Sequence, residues 1–467
     1  MVVNILKYIG PFLRMNSLNK SNIENQLFYL AKENIKFIVL KSKCGLTISK
    51  EDLKPKTIPN IDINTFNSFS PLLCIYKKVS PKMLMIDNIY QLDEDTFKKE
   101  VKIEGNLYMT LCVLELLDYY KKFKNIDLNK YTLYHIYQNI AKKQLEFYAS
   151  YLRSEEGVFV DKKYVSNELD DDYKFEMKNR KFRFSDQALA MCAYYIYAHH
   201  DPQNIEKEYK DFSLDILNMF LNYKEELYGL STEELTKLCL AFNVFYDQCK
   251  VDHIRLLLID IMELLIDHYN KKTYNCSKNK IQYSGLIYLN CLKAYKSTGI
   301  DKFKEVSLNI YKDFIGLYNQ DLGIFLHNSE EKEQIYSCND IIVYLLTLLA
   351  HSYDEANTND YSIISDIYKK QLISSGIIQS WFDAPDLEDI ERYTDFSLST
   401  EAVLDEHEFR SASLPTPEND DIAPLFIKSV CFHRRKEEFK FDKLICDLNE
   451  NMFIFYLILM VKKLKEY

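Results

Sequence analysis

From Gly105 onward, apolar residues recur at helical spacing in long runs separated by short polar breaks, and no run shows the alternation of a half-buried strand. The runs come in pairs. STEELTKLCLAFNVFYDQ is followed by a break at Lys250–Asp252 and then HIRLLLIDIMELLIDHYN, while SGLIYLNCLKAYKS leads through TGI into DKFKEVSLNIYKDFIGLYN. A start signal marks successive units: SDQAL at 185, STEEL at 231, SGLIY at 284, SCNDI at 337 and STEAV at 399. A serine oxygen there accepts from the free N–H groups of a first turn, and a nearby carboxylate favours the positive helix end. Each serine is therefore expected to cap a helix, at about 1 kcal/mol apiece. One cap carries little information, but recurrence about every fifty to sixty residues predicts a repeat.

With a first hairpin at about 105–152 and a last running from Ser399 to Tyr467, the count reaches six. Six consecutive helical hairpins predict a mainly α fold, an (α/α)6 barrel over 105–467 with an inner ring of helices inside an outer one. The rival is an open α-solenoid. Irregular insertions before the second, fifth and sixth inner helices favour the closed form, with a decorated mouth. Residues 1–104 have another character: a helix at Lys20–Asn34 with Ser21 as N-cap, then extended runs FIVL at 37–40 and LLCIYKKV and MLMID between 72 and 87. Pro55, Pro59, Pro71 and Pro81 punctuate them, so 1–104 is expected to be a small mixed α+β N-terminal segment.

Composition narrows the function. A net charge of -10 excludes generic nucleic-acid binding, because phosphates would repel the chain. Glycine is scarce and neither GxGxxG nor GxxxxGK[ST] occurs, so no common phosphate-cradling loop is present. The 11 cysteines form no CxxC pair, and Cys112, Cys192, Cys239, Cys291 and Cys446 fall in apolar helical runs. They read as reduced thiols in a cytoplasmic protein. Cys431 and His433 have a spacing that metals use, but no second pair accompanies them. They are expected to be structural helix residues, with no metal and no cofactor. The start, MVVNILKYIGPFLRMN, lacks a cleavage pattern, and MFIFYLILMV is about half the length a bilayer requires, so no membrane partner is expected.

Two loops carry a resemblance. EEGVFVDKK (155–163) leads into FRFSDQALAMCAYYIYA, and DLGIFLHNSEEKEQ (321–334) into IYSCNDIIVYLLTLL. In each, a G-[VI]-F-[VL] element precedes a polar stretch and then a capped helix. Together with GLIYLNCLKAYKSTGIDKF, this resembles the six-hairpin glycosidase-like superfamily, over about 105–467. The resemblance implies a funnel at the inner-helix end, where members hydrolyse or isomerise sugars with carboxylates and some with histidine. No full catalytic motif of any one of those families stands at matching positions.

The candidate site residues follow from that expectation. Asp186, in the first turn after Ser185, is placed as a general acid or base; the other repeats hold Thr232, Gly285, Cys338 and Thr400 there, so capping alone does not demand it. Asp340 is the second carboxylate, and paired carboxylates suit glycoside hydrolysis. Trp381 is placed as a sugar-stacking face, with Arg183 and Tyr194 shaping the site and His327 on the GIFLHN loop. NELDDDY (167–173) lacks the DDxxD spacing of helical isoprenoid enzymes and reads as loop charge. The expected function is a carbohydrate-active protein, hydrolase-like or isomerase-like, with a carbohydrate ligand at the mouth. The alternative is a non-catalytic scaffold for a protein partner, with its mouth filled and an apolar patch exposed.

Overall fold

A computed structural model describes residues 18–49, 68–86, 89–166, 172–178, 182–200, 206–271, 280–327, 331–354, 358–414, 421–441 and 443–465. Among these residues, twelve helices exceed a single turn. In chain order they begin with α1 (Lys20–Leu40), α2 (Ile103–Lys121), α3 (Leu128–Tyr151), α4 (Phe184–His200), α5 (Glu206–Asn222) and α6 (Thr232–Cys249). They continue with α7 (Asp252–Asn270), α8 (Lys280–Thr298), α9 (Asp301–Ile315), α10 (Cys338–Asp354), α11 (Thr358–Asp366) and α12 (Leu448–Leu464). A π-helical stretch, Ile367–Ile373, prolongs α11.

Even- and odd-numbered helices differ in their pattern. In α12 every residue from Asn451 to Val461 is buried, and α10 is buried from Cys338 to His351. A helix apolar on all sides belongs inside. By contrast α7 buries Ile254, Leu257, Leu258, Ile261, Met262, Leu265 and Ile266 at spacings of three and four and gives its other face to solvent. The even helices touch in the order α2, α4, α6, α8, α10, α12 and back to α2, and each packs against one odd helix outside it. This is an (α/α)6 barrel. Contact between the first and last inner helices rules out the open solenoid.

The last hairpin is not formed as the sequence pattern predicts. Ser399 heads only a single 3-10 turn, Thr400–Ala402, and the outer partner of α12 is α1. The two ends of the described chain thus close the ring, with Lys465 Nζ 2.9 Å from Glu24 Oε2. α1 is capped by Asn19, which accepts from the Asn22 N–H at 2.8 Å while Asn22 returns the bond at 2.9 Å, so Ser21 lies inside the helix. FIVL at 37–40 is the last turn of α1, not a strand. Leu27, Leu30, Ala31, Ile35 and Ile38 continue one buried helical face through it, and burial outweighs the weak β-propensity of Ile38 and Val39.

Of the five serines, Ser231 and Ser337 cap: they accept from the N–H groups of Glu234 at 3.3 Å and Asp340 at 3.1 Å. Ser185 and Ser284 lie within helices that begin one and four residues earlier. Close packing fixes the ring elsewhere. A Cβ on Gly105 would lie 1.9 Å from Asn449 Oδ1 and 2.8 Å from Asn449 Cα, so α2 and α12 approach as only glycine allows. Small antiparallel sheets precede α4, α10 and α12, formed by Glu100–Val101, Lys162–Tyr164 and Phe175–Met177 and by Glu333–Ser337, Ser429–His433 and Glu438–Lys440.

Candidate active site at the barrel mouth

The first turns of the inner helices gather at one end of the ring. Arg183, just ahead of α4, reaches Glu104 of α2 at 3.5 Å, and the Ser185 N–H of α4 donates to Glu234 of α6 at 2.8 Å. Glu104 also takes Lys237 of α6 at 2.9 Å. Farther round, a Cβ on Gly285 of α8 would lie 2.3 Å from Val343 of α10, and Cys338 Sγ of α10 lies 3.6 Å from Glu450 of α12. The positive ends of the helix dipoles therefore converge on a belt rich in carboxylates, the charge pattern those ends favour.

Asp186 is the most perturbed acid on one wall. It is 3% exposed, and its Oδ2 accepts from Arg183 Nε at 3.0 Å. Burial lifts its pKa to about 7; Arg183 opposes this, while Glu104, Asp161 and Glu234 add to it. Glu104 has the opposite fate. Burial would raise it, but Lys237 and Arg183 hold it below the usual carboxylate range. Neighbouring carboxyls driven apart in this way divide into a proton holder and a fixed anion. Asp186 Oδ1, Arg183 Nη2 and Ser185 Oγ are buried without a hydrogen-bond partner. Polar atoms left bare in this way call for a ligand or water. The loop over 155–160 is pinned beside them, as Gln187 accepts from the Phe159 N–H and donates to its carbonyl, both at 2.9 Å.

Asp340 begins α10 on the facing wall. Its Oδ2 accepts from Ser337 Oγ at 2.7 Å and from the Ser337 N–H at 3.0 Å, completing a capping box. Its Oδ1 and the Nε2 of His327 are buried without a hydrogen-bond partner. Burial raises the Asp340 pKa against the pull of His327, and burial lowers that of His327 against the pull of Asp340. A neutral imidazole thus shares its surroundings with a buried carboxyl that the Ser337 cap and the Gln282 backbone also stabilise. The His327 N–H donates to Gln334 Oε1 at 2.8 Å, which fixes the loop.

Two expected sugar contacts are corrected. Trp381 has no exposed surface, and its indole N–H donates to the Phe409 carbonyl at 3.0 Å; it anchors the segment after α11 and offers no stacking face. Tyr194 donates to the Leu145 carbonyl of α3 at 2.7 Å and packs edge-on against Phe212 of α5, 4.6 Å between centroids, so it faces the outer ring. Each is a large aromatic whose polar atom found a backbone partner in the core. Cys431 and His433 lie on the strand Ser429–His433, not on a helix, because Val430 and Phe432 alternate with them and take the buried face. With Glu333 they form a group of three potential metal ligands. Most of NELDDDY, 167–171, lies outside the described residues.

No family model matches the chain, and no curated protein matches its sequence. Three solved structures are similar to it at TM-scores of 0.46–0.47. The GH76 α-mannanase of Bacteroides thetaiotaomicron is 12% identical (TM-score 0.46), over 96% of this chain and 99% of its own. A cellobiose 2-epimerase from Bacillus thermoamylovorans is 10% identical (TM-score 0.46), over 84% and 92%. A D-mannose isomerase is 8% identical (TM-score 0.47), over 93% and 98%.

The sequence pattern does not mark Glu104, Lys237, Glu234 or Glu450 as members of the belt. Glu104 and Lys237 read as ordinary helix charges, since nothing local marks residues that meet across the ring. A helix-start signal could have marked Glu450: Asp447-x-x-Glu450 stands one residue before MFIFYLILMV, and Asp447 does accept from the Asn449 N–H at 3.1 Å. Burial, with Asp447 nearby, lifts Glu450 to about 7, making it a second proton-holding carboxyl of the mouth.

Proposed function

We propose that the protein is a carbohydrate-active enzyme, hydrolase-like or isomerase-like, that takes its substrate at the barrel mouth. The observation that carries this is Asp186: a buried carboxyl that keeps its proton to about pH 7 and has one oxygen unoccupied. Such a group suits protonation of a glycosidic or carbonyl oxygen near neutrality. Arg183 orients it through Oδ2 and leaves Oδ1 for the substrate. Across the ring, neutral His327 and Asp340 supply the complementary base, and the superfamily resemblance of the loops at 155–163 and 321–334 fits a sugar as the ligand. A reducing compartment fits the ten unbridged cysteines among the described residues, and no helix among those residues is long and apolar enough to cross a membrane.

The test is turnover of a panel of glycosides and free reducing sugars by the wild type and by Asp186→Asn. Hydrolysis yields a new reducing end, whereas isomerisation changes the sugar without one. Loss of about 10²–10⁴ in rate is expected on removing a general acid. Equal turnover by the variant ends the assignment. A second reading, a scaffold with a protein partner, has its own observation: Leu84, Met85 and Ile86 lie consecutively exposed at 46%, 60% and 45%. It predicts a bound partner and a wild type without turnover.

A further inference from the structure

The sheet leading into α10 has two faces of different chemistry. Gln334, Tyr336, Val430 and Phe432 are buried beneath it. The outer face carries Glu333, Cys431, His433 and Glu438, since residues two apart on a strand share a face and Glu333 and Glu438 both pair with His433. His433 Nδ1 lies 3.2 Å from Glu333 Oε1, and one donor atom each from Glu333, Cys431 and His433 lie within 4.8 Å of one another. We propose that Glu333, Cys431 and His433 form a zinc site on the outer face of this sheet, with Glu438 or water as fourth ligand.

The donor set is the reason. Thiolate, imidazole and carboxylate are the three ligand types zinc takes, at about 2.0–2.3 Å, which in a tetrahedron sets donors roughly 3.3–3.8 Å apart. One pair, His433 Nδ1 and Glu333 Oε1, stands at about that spacing, and all three donors lie within 4.8 Å on two paired strands whose register holds them. Their side chains alone need move, because Glu333 and His433 are 66% and 28% exposed. A groove of about 320 Å³ opens beside the thiol, and Lys78, Lys428 and Lys443 line it together with Ile335 and Cys431. These three lysines stand against a cation, and two more engage Glu438. Lys440 and Lys436 approach Glu438 at 3.1 Å and 3.9 Å, so Glu438 competes with them for its carboxylate.

The consequence reaches the mouth. The strand Glu333–Ser337 runs into α10, Ser337 caps Asp340, and Gln334 on the buried face holds the His327 loop. An ion clamping the outer face braces the strand that positions both residues. This inference does not depend on what the mouth binds.

The experiment is titration of the full chain, stripped of metal, with Zn²⁺ by calorimetry and with Co²⁺ by absorption. One ion per chain, a thiolate-to-cobalt charge-transfer band and a raised melting temperature are expected. Cys431→Ser should abolish the band, and Cys431→Ser and His433→Ala should each weaken binding by about tenfold or more. Both residues are half-buried on the outer face, and the metal-free melting of each variant separates lost folding from lost binding. Absence of binding, or binding and band unchanged in Cys431→Ser, overturns the site.

Discussion

Asp186 and Asp340 lie in the first turns of helices three places apart in a ring of six, so the two acids start helices on opposite sides of the barrel. Their surroundings differ. Asp186 sits among Glu104, Asp161 and Glu234 with one guanidinium, while Asp340 has its own helix cap and a neighbouring imidazole. Burial raises the pKa of both carboxyls, against Arg183 at the first and against His327 and the Ser337 cap at the second.

Asp186→Asn should change the pH dependence of stability in a fixed sense. The folded pKa, about 7, lies above the ordinary carboxyl value of about 3.9. The folded state therefore binds the proton more tightly, and the resulting stability is full below about pH 4 and lost as pH rises towards 7. The variant lacks that loss. Denaturant unfolding should show it gaining about 1–4 kcal/mol on the wild type at pH 8, the difference shrinking towards pH 4. A gain confined to acid pH would contradict the assignment.

Removing Arg183 should move Asp186 further. The guanidinium is the strongest charge opposing burial there, so Arg183→Gln raises the Asp186 pKa above 7. If Asp186 acts as an acid, the alkaline limb of kcat/KM against pH shifts upward, and Arg183→Lys restores part of the change. An unmoved limb would mean that the proton read by the rate sits elsewhere.

Trp381→Phe and Tyr194→Phe should cost stability and leave sugar binding alone. The first strands the Phe409 carbonyl and opens a void in a fully buried site, worth about 1–3 kcal/mol. KM should match the wild type for both variants. A raised KM would return either residue to the sugar site.

Gly105→Ala tests how the ring closes. The new Cβ meets Asn449, backbone included, and overpacking of this kind costs about 1–3 kcal/mol. The melting temperature should fall accordingly. Wild-type stability would mean that α2 and α12 have room to part.

Helical spacing carried the barrel, because an inner helix such as α12 and an outer one such as α7 differ in how much of their circumference is apolar. The closing pair escaped that logic. α1 and α12 lie at opposite ends of the chain, and no local pattern links Glu24 with Lys465. The first-turn acids Asp186 and Asp340 were legible for the same reason as the caps, being short-range features of helix starts. Trp381 and Tyr194 were misplaced because a sequence does not show whether a ring faces a lumen or a core. The partners that set the Asp186 environment, Glu104 and Glu234, come from two other helices.

The most direct test of the central claim is the protonation state of Asp186, read as the infrared carbonyl stretch of a protonated acid in the wild type minus Asp186→Asn across pH. The band should persist to a midpoint of about 7. A midpoint near the ordinary value of about 4 would show an ionised helix-starting acid and remove the proton donor from the mouth.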